Sequence, residues 1–321
     1  MKFFLTPEVT SIIPVVVVAV AATVLNPIFL RSSNLLTLAS SLIASWGLLA
    51  IGQSFIIISG GLDISIGTTL SFAGMLFCFL ARSYQPLFLC ILAVVAVCLT
   101  MSMLNAMLIL KFNVTPFVAT MSVSYVSKGL ANVVNYGADM SLAYGVRDSV
   151  LRFCDVFSVK PLGVSIGAFT FIFLILFSQF ILQKTAFGRK IYAVGDNPRV
   201  ARIAGIRVAR VRAACFLISG LLTALTTILW VGYYSGCTPT QGNPWSLITI
   251  AAASMGGISL KGGTGSMFGL LCGVILMALV YNLITLLNVD ANIQNIFIGV
   301  FLVLSLVLDT IRREKTLGKN I

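Results

Sequence analysis

Apolar residues run through this chain in stretches of about twenty, separated by glycine, proline and short basic segments rather than by ordinary polar surface. Crossing a hydrocarbon core of about 30 Å takes about 20 apolar residues as helix. Runs of that kind predict helices at about 12–30, 35–58, 66–81, 86–110, 114–136, 162–183, 213–235, 245–258, 266–288 and 292–311. Charged residues make up 9% of the 321 and mean hydropathy is +1.05, whereas soluble domains carry roughly 25% charge. A water-soluble globular fold is excluded. The expectation is an all-α, polytopic membrane protein of about ten transmembrane helices, a single domain over residues 1–321. The third and eighth runs are short for a full crossing and adjoin glycine-rich segments, so they are expected to be broken or re-entrant helices shielded by the bundle. Lys2 precedes the first run without an evident small-residue cleavage site, which predicts a retained span.

The charge balance supplies the orientation. Lys and Arg number 21 against 9 Asp and Glu, a net +12. In a soluble protein this excess would suggest a nucleic-acid partner; here it reads as topology. With the N-terminus inside, Lys2, Lys111, eight residues in 184–212, Lys261 and four in the C-terminal tail face the cytoplasm. Arg31, Arg82, Arg147, Arg152 and Lys160 face outward, and Lys128 falls within a span. That threefold bias predicts N-in and C-in.

Histidine is absent, which removes Ser-His-Asp and Cys-His catalysis and imidazole metal sites. The seven cysteines show no CxxC spacing and sit mostly inside apolar runs, as small buried residues do. Cys154 and Cys237 alone fall in predicted loops, on the same outer side, where a disulfide is open. No metal or cofactor is expected.

Three segments carry polar chemistry at depth. Gly60-Gly61-Leu62-Asp63-Ile64-Ser65-Ile66-Gly67 sets one carboxylate among glycines between two spans. Asp63 or Ser65 reads as a cap for the third helix, and an intramembrane acid also reads as part of a pathway; Thr68 continues its polar face. The span holding Lys128 also carries Ser122 and Asn132, so it is expected to face protein or water. Gln241 and Asn243 offer uncharged hydrogen-bond partners in a loop. Asp63, Ser65, Thr68, Ser122, Lys128, Asn132, Gln241 and Asn243 are thus the candidate pathway residues. The glycines of Gly256-Gly257 and Lys261-Gly262-Gly263-Thr264-Gly265 fit helix-end turns and close packing. They are not a phosphate loop, because GxxxxGK[ST] occurs nowhere in the chain.

The longest hydrophilic stretch, residues 184–212, holds eight basic residues and one acid, Asp196. Asn197 as N-cap, Pro198 at the first position and Gly205 as stop predict a helix of about two turns beneath the membrane. GRKIYAVGDNPRVARIAGI in this stretch resembles the coupling loop of the ribose-type sugar permeases of bacterial ATP-binding cassette importers. SGGLDISIGTTLSFAGM at 59–75 and MGGISLKGGTGSMFGLLCGVI at 255–275 resemble two further signatures of that family, and TPFVAT at 115–120 and Lys128-Gly129 also fit. The order is right over about residues 35–310. GNPWSLITI, from Gly242 to Ile250, departs from it, since members often carry an acid there; Asp196 stands where glycine is common.

The resemblance implies an inner-membrane permease moving a sugar. Its implied partners are cytoplasmic ATP-binding subunits, a periplasmic or lipoprotein solute-binding protein and a second permease copy, in membrane lipid. Asn197, Pro198, Arg199, Ala201, Arg202, Ile203, Ala204 and Gly205 would couple to the ATPase, with Ala201, Ile203 and Ala204 presenting a small apolar face. The alternative is a secondary transporter driven by an ion gradient, for which Asp63 is the one interior acid, Asp309 lying at a helix end. For an intramembrane enzyme the chain lacks a histidine base, a paired-carboxylate site and a metal cluster.

Overall fold

The computed structural model describes residues 7–290 and, beyond them, positions 293, 296, 299, 300, 303 and 307. Twelve helices account for nearly all regular structure among the described residues: α1 (Pro7–Leu25), α2 (Ser32–Ile58), α3 (Ile66–Arg82), α4 (Leu87–Leu110), α5 (Pro116–Val134), α6 (Asp148–Ser158), α7 (Ile166–Lys184), α8 (Ala186–Asp196), α9 (Pro198–Ile203), α10 (Val208–Tyr234), α11 (Trp245–Met255) and α12 (Met267–Leu286). Five of them, α2, α4, α7, α10 and α12, are long and apolar enough to cross a membrane. The predicted tenth span, 292–311, lies outside the described residues except at those six positions.

The centre of the bundle is α2. From Ala44 to Ile58 every residue is buried, as befits a helix that is apolar all round and carries no charge. Helices α7, α10, α11 and α12 pack against it, and one core cluster joins Trp46, Ile51, Phe55, Phe216, Ile248 and Leu270. Outer faces of α1 and α7 expose Val16, Val17, Val20, Phe173, Leu176 and Phe180, a surface suited to acyl chains. A second cluster around Phe77, Cys78, Val94 and Val231 sits near a two-stranded antiparallel ribbon of β1 (Met140–Ser141) and β2 (Gly236–Cys237).

Several boundaries differ from the sequence expectation. The first helix stops at Leu25, because Asn26 caps a separate 3-10 turn at Pro27–Leu30. The second begins at Ser32 and contains one π-helical turn at Ala39–Ile43; within it the Ser40 carbonyl accepts the Ser165 hydroxyl at 2.9 Å. The stretch read as loop between spans five and six contains α6, a short helix that buries Val150 and Cys154 and opens with Asp148 at its positive end. Residues 184–212 hold two helices, not one, since Thr185 caps α8 by accepting from the Gly188 N–H. All seven cysteines are buried free thiols, so Cys154 and Cys237 are not bridged.

Candidate functional site

The entry segments of α3 and α11 meet head to head inside the bundle. Beyond α2 the chain turns at Gly60, whose φ of +81° suits glycine, and runs without regular structure to Ser65, the N-cap of α3. Asp63, 1% exposed, fixes that run. Its Oδ1 accepts from the Ser65 N–H and the Ser65 hydroxyl, each at 2.7 Å. Asn105 of α4 closes the cluster, donating to Ser65 Oγ at 2.8 Å with its amide 3.4 Å from both Asp63 oxygens. Asp63 therefore shapes the turn before the helix and does not cap the helix itself; the Ser65 hydroxyl faces Asp63 instead of the free helix amides.

One of those amides is satisfied from across the bundle. The Gly67 N–H donates to Ser246 Oγ of α11 at 3.0 Å, and the Gly242 N–H donates to Ser71 Oγ of α3 at 2.8 Å. Each half-helix thus supplies a serine to the other's entry segment. Such closeness demands glycine: a Cβ on either Gly67 or Gly242 would overlap the other's carbonyl oxygen. The second entry segment starts where Ser235 takes a left-handed conformation after α10 (φ 50°). It passes β2 and carries Thr238, whose hydroxyl lies 3.5 Å from Gln241 Oε1. Asn243 Oδ1 is buried with no partner among the described residues.

The expected pathway residues separate into groups. Asp63, Ser65 and Thr68 lie together; Thr68 Oγ1 reaches the Ser65 carbonyl at 3.0 Å and Ser124 Oγ at 3.1 Å. Gln241 and Asn243 flank the Gly242 contact. Ser122 and Lys128 lie on the exposed side of α5, and Asn132 donates to its own helix at the Lys128 carbonyl. Lys128 is one position, about 100° of turn, past Ser127, which packs toward α3 at 3.4 Å from Thr69. Asn105 was not singled out in the sequence, where a lone Asn within an apolar span gives no pattern.

At the end of the bundle holding α8 and α9, three chain segments touch backbone to backbone. The Gly263 N–H donates to the Ile58 carbonyl at 2.9 Å. A Cβ on Gly195 would overlap Ile58 O and approach Gly263 N to 2.5 Å; one on Gly262 would lie 2.9 Å from Gly60 Cα. Tyr192 of α8 donates its hydroxyl to the Gly265 carbonyl at 2.7 Å, and burial raises its pKa. Arg212 donates to the Ser59 carbonyl at 3.1 Å. Hence α8 is joined directly to both glycine-rich loops.

Below α8, the predicted small helix is α9. Asn197 caps it, its Oδ1 accepting from the N–H groups of Arg199 and Val200 at 3.0 and 3.2 Å, with Pro198 first and Gly205 beyond the end at φ +78°. Arg199, Arg202 and Ala204 are exposed. One expectation fails: Ala201 is only 3% exposed and points into the core, while Val200 and Ile203, 59% and 88% exposed, form the outward apolar face. Spacing alone does not set the phase of so short a helix.

Known proteins share this chain's sequence over nearly its whole length. It is 32% identical to the ribose import permease protein RbsC of Bacillus subtilis, over 91% of this chain and 89% of that one. It is also 32% identical to the probable ABC transporter permease protein YphD of Escherichia coli, over 98% and 94%. The L-arabinose transport system permease protein AraH of Escherichia coli is 26% identical over 93% and 89%. Residues 34–306 match the family described as branched-chain amino acid transport system / permease component. With its buried central helix, paired helix-entry segments and capped basic helix all inside that matched stretch, the chain belongs to this family of transport-system permease components.

Proposed function

We propose that the chain is the membrane-spanning subunit of a binding-protein-dependent ABC importer in the bacterial inner membrane, and that its cargo is a monosaccharide. The observation that carries the coupling part is α9: a capped, basic helix with Val200 and Ile203 facing outward, held through α8 to both glycine-rich loops. The relatives named for ribose and arabinose import support the sugar. In this reading residues 1–321 form one permease domain of ten spans with both termini inside. Then α8, α9 and the glycine junction face the cytoplasm, and the β1–β2 ribbon faces outward.

The chain has no P-loop string, so ATP binding and hydrolysis belong to partner subunits that grip α9. A solute-binding protein delivers sugar at the ribbon end. Two ATPase subunits need two such helices and each chain has one, which calls for a second permease copy. Asp63, Ser65, Thr68, Gln241 and Asn243 line the re-entrant meeting point that must open, with Ser122, Lys128 and Asn132 on the adjoining α5. An ion-driven carrier fits less well, because the Asp63 carboxylate is already engaged by Ser65 and Asn105.

The test is uptake by the reconstituted complex with a panel of labelled pentoses and hexoses. ATP-dependent, binding-protein-dependent accumulation of at least one sugar is expected. Accumulation driven by a proton or sodium gradient without ATP would overturn the reading.

A further inference from the structure

A cavity of about 500 Å³ opens at the ribbon end, lined by Arg82, Asp139, Tyr144, Trp230, Tyr234 and Gln241 among others. That volume lies within the usual range for small-molecule sites. The strand residues Met140, Ser141, Gly236 and Cys237 form one wall. Its chemistry is mixed in a particular way. Trp230 and Tyr234 stand 4.1 Å apart between ring centroids, and the Arg82 guanidinium lies 5.5 Å from the Tyr144 ring centroid; Trp245, buried outside the lining, backs Trp230 edge-on at 4.7 Å. Beside these flat apolar surfaces are one cation, one anion and one carboxamide. A monosaccharide presents the matching surfaces: a C–H face that packs on an aromatic ring, and a girdle of hydroxyls that both donate and accept. Fork-shaped donors and a carboxylate suit adjacent hydroxyl pairs, and the charges of Arg82 and Asp139 sum to no net formal charge in the lining.

Position strengthens the assignment. Thr238 and Gln241 line the cavity and also begin the segment that descends to the Gly242–Gly67 contact. Whatever rests in the cavity therefore sits directly beside the closed meeting point of α3 and α11.

We propose that this cavity is the station where an uncharged monosaccharide first rests on the permease, with Tyr234 as stacking platform and Gln241, Asp139 and Arg82 as hydroxyl partners. The inference rests on the importer reading above. Its test compares sugar uptake with binding-protein-stimulated ATP hydrolysis in the reconstituted complex. Tyr234→Ala and Asp139→Ala should each lower uptake about tenfold, as loss of one good contact does, while stimulated hydrolysis stays within about twofold. Tyr234→Phe, which keeps the ring, should retain uptake. An unchanged ratio of sugar moved to ATP hydrolysed in both alanine variants would overturn the station. So would parallel loss of uptake and stimulation, which would mark the cavity as a docking surface for the binding protein. If Tyr234→Ala fails to insert, Asp139→Ala carries the test alone. Absence of ATP-dependent uptake by the wild-type complex would instead sink the importer reading and the station with it.

Discussion

At the scale of single residues, the most constrained positions are those where two backbones touch. Adding one methyl at Gly67 or Gly242 drives it into the opposing carbonyl oxygen, and the serines that hold the two entry segments leave neither free to retreat. Gly67→Ala should therefore destabilise the bundle by about 3 kcal/mol or more, the upper end for overpacking. A fall in the melting temperature of the detergent-purified protein checks this, and an unchanged value would mean that the segments separate at no cost. Gln53 presents the opposite situation. It is wholly buried in α2, and neither carboxamide atom has a partner among the described residues. Leucine at this place removes a desolvation penalty of about 1–3 kcal/mol, so Gln53→Leu is expected to raise the melting temperature. A lowered value would show that the carboxamide is hydrogen-bonded in the working protein. The polarity of Asp63 was legible in the sequence because a lone acid among apolar spans stands out. Its partner Asn105 comes from another helix 42 residues away, a juxtaposition that no local pattern encodes.

Among the elements, α9 makes the sharpest prediction. A six-residue helix is marginal by itself, and loss of its cap costs about 0.5–2 kcal/mol. Asn197→Ala should speed amide hydrogen exchange over 199–203 while leaving insertion intact; equal exchange rates would deny the cap its role. Val200→Asp and Ile203→Asp should abolish ATPase stimulation with normal membrane levels, since these side chains form the outward face. Normal stimulation in both would reduce the loop to a topology signal. The start and stop of α9 were written in Asn197, Pro198 and Gly205, residues whose backbone preferences act locally. Its facing was not, because the direction of Ala201 is set by the core it packs into. The long apolar helices were legible for the converse reason: lipid imposes one length and one composition on every crossing. Amphipathic α6 escaped notice, being too short and too polar to resemble a span. In the aromatic cluster, Trp230 and Tyr234 pair locally, four residues apart on α10, whereas Trp245 joins them only after the chain turns back at Ser235.

For the whole molecule, the importer reading fixes a stoichiometry. Each chain carries one α9, so native mass measurement of the assembled complex should find two permease chains, as a homodimer or paired with a close relative. One permease chain per complex would contradict the proposed division of labour. The junction of Gly60, Gly195, Gly262 and Gly263 bears on how such an assembly moves. Side chains between two moving parts act as a soft gasket, because they change rotamer within picoseconds to nanoseconds and absorb small displacements before anything beyond them responds. Here much of that gasket is missing: at Gly195, Gly262 and Gly263 backbone rests on backbone between α8 and both glycine-rich loops, with the Tyr192 and Arg212 side chains tying the same junction. In the importer reading, a displacement at α8 is therefore expected to reach both loops with little lost to side-chain rearrangement.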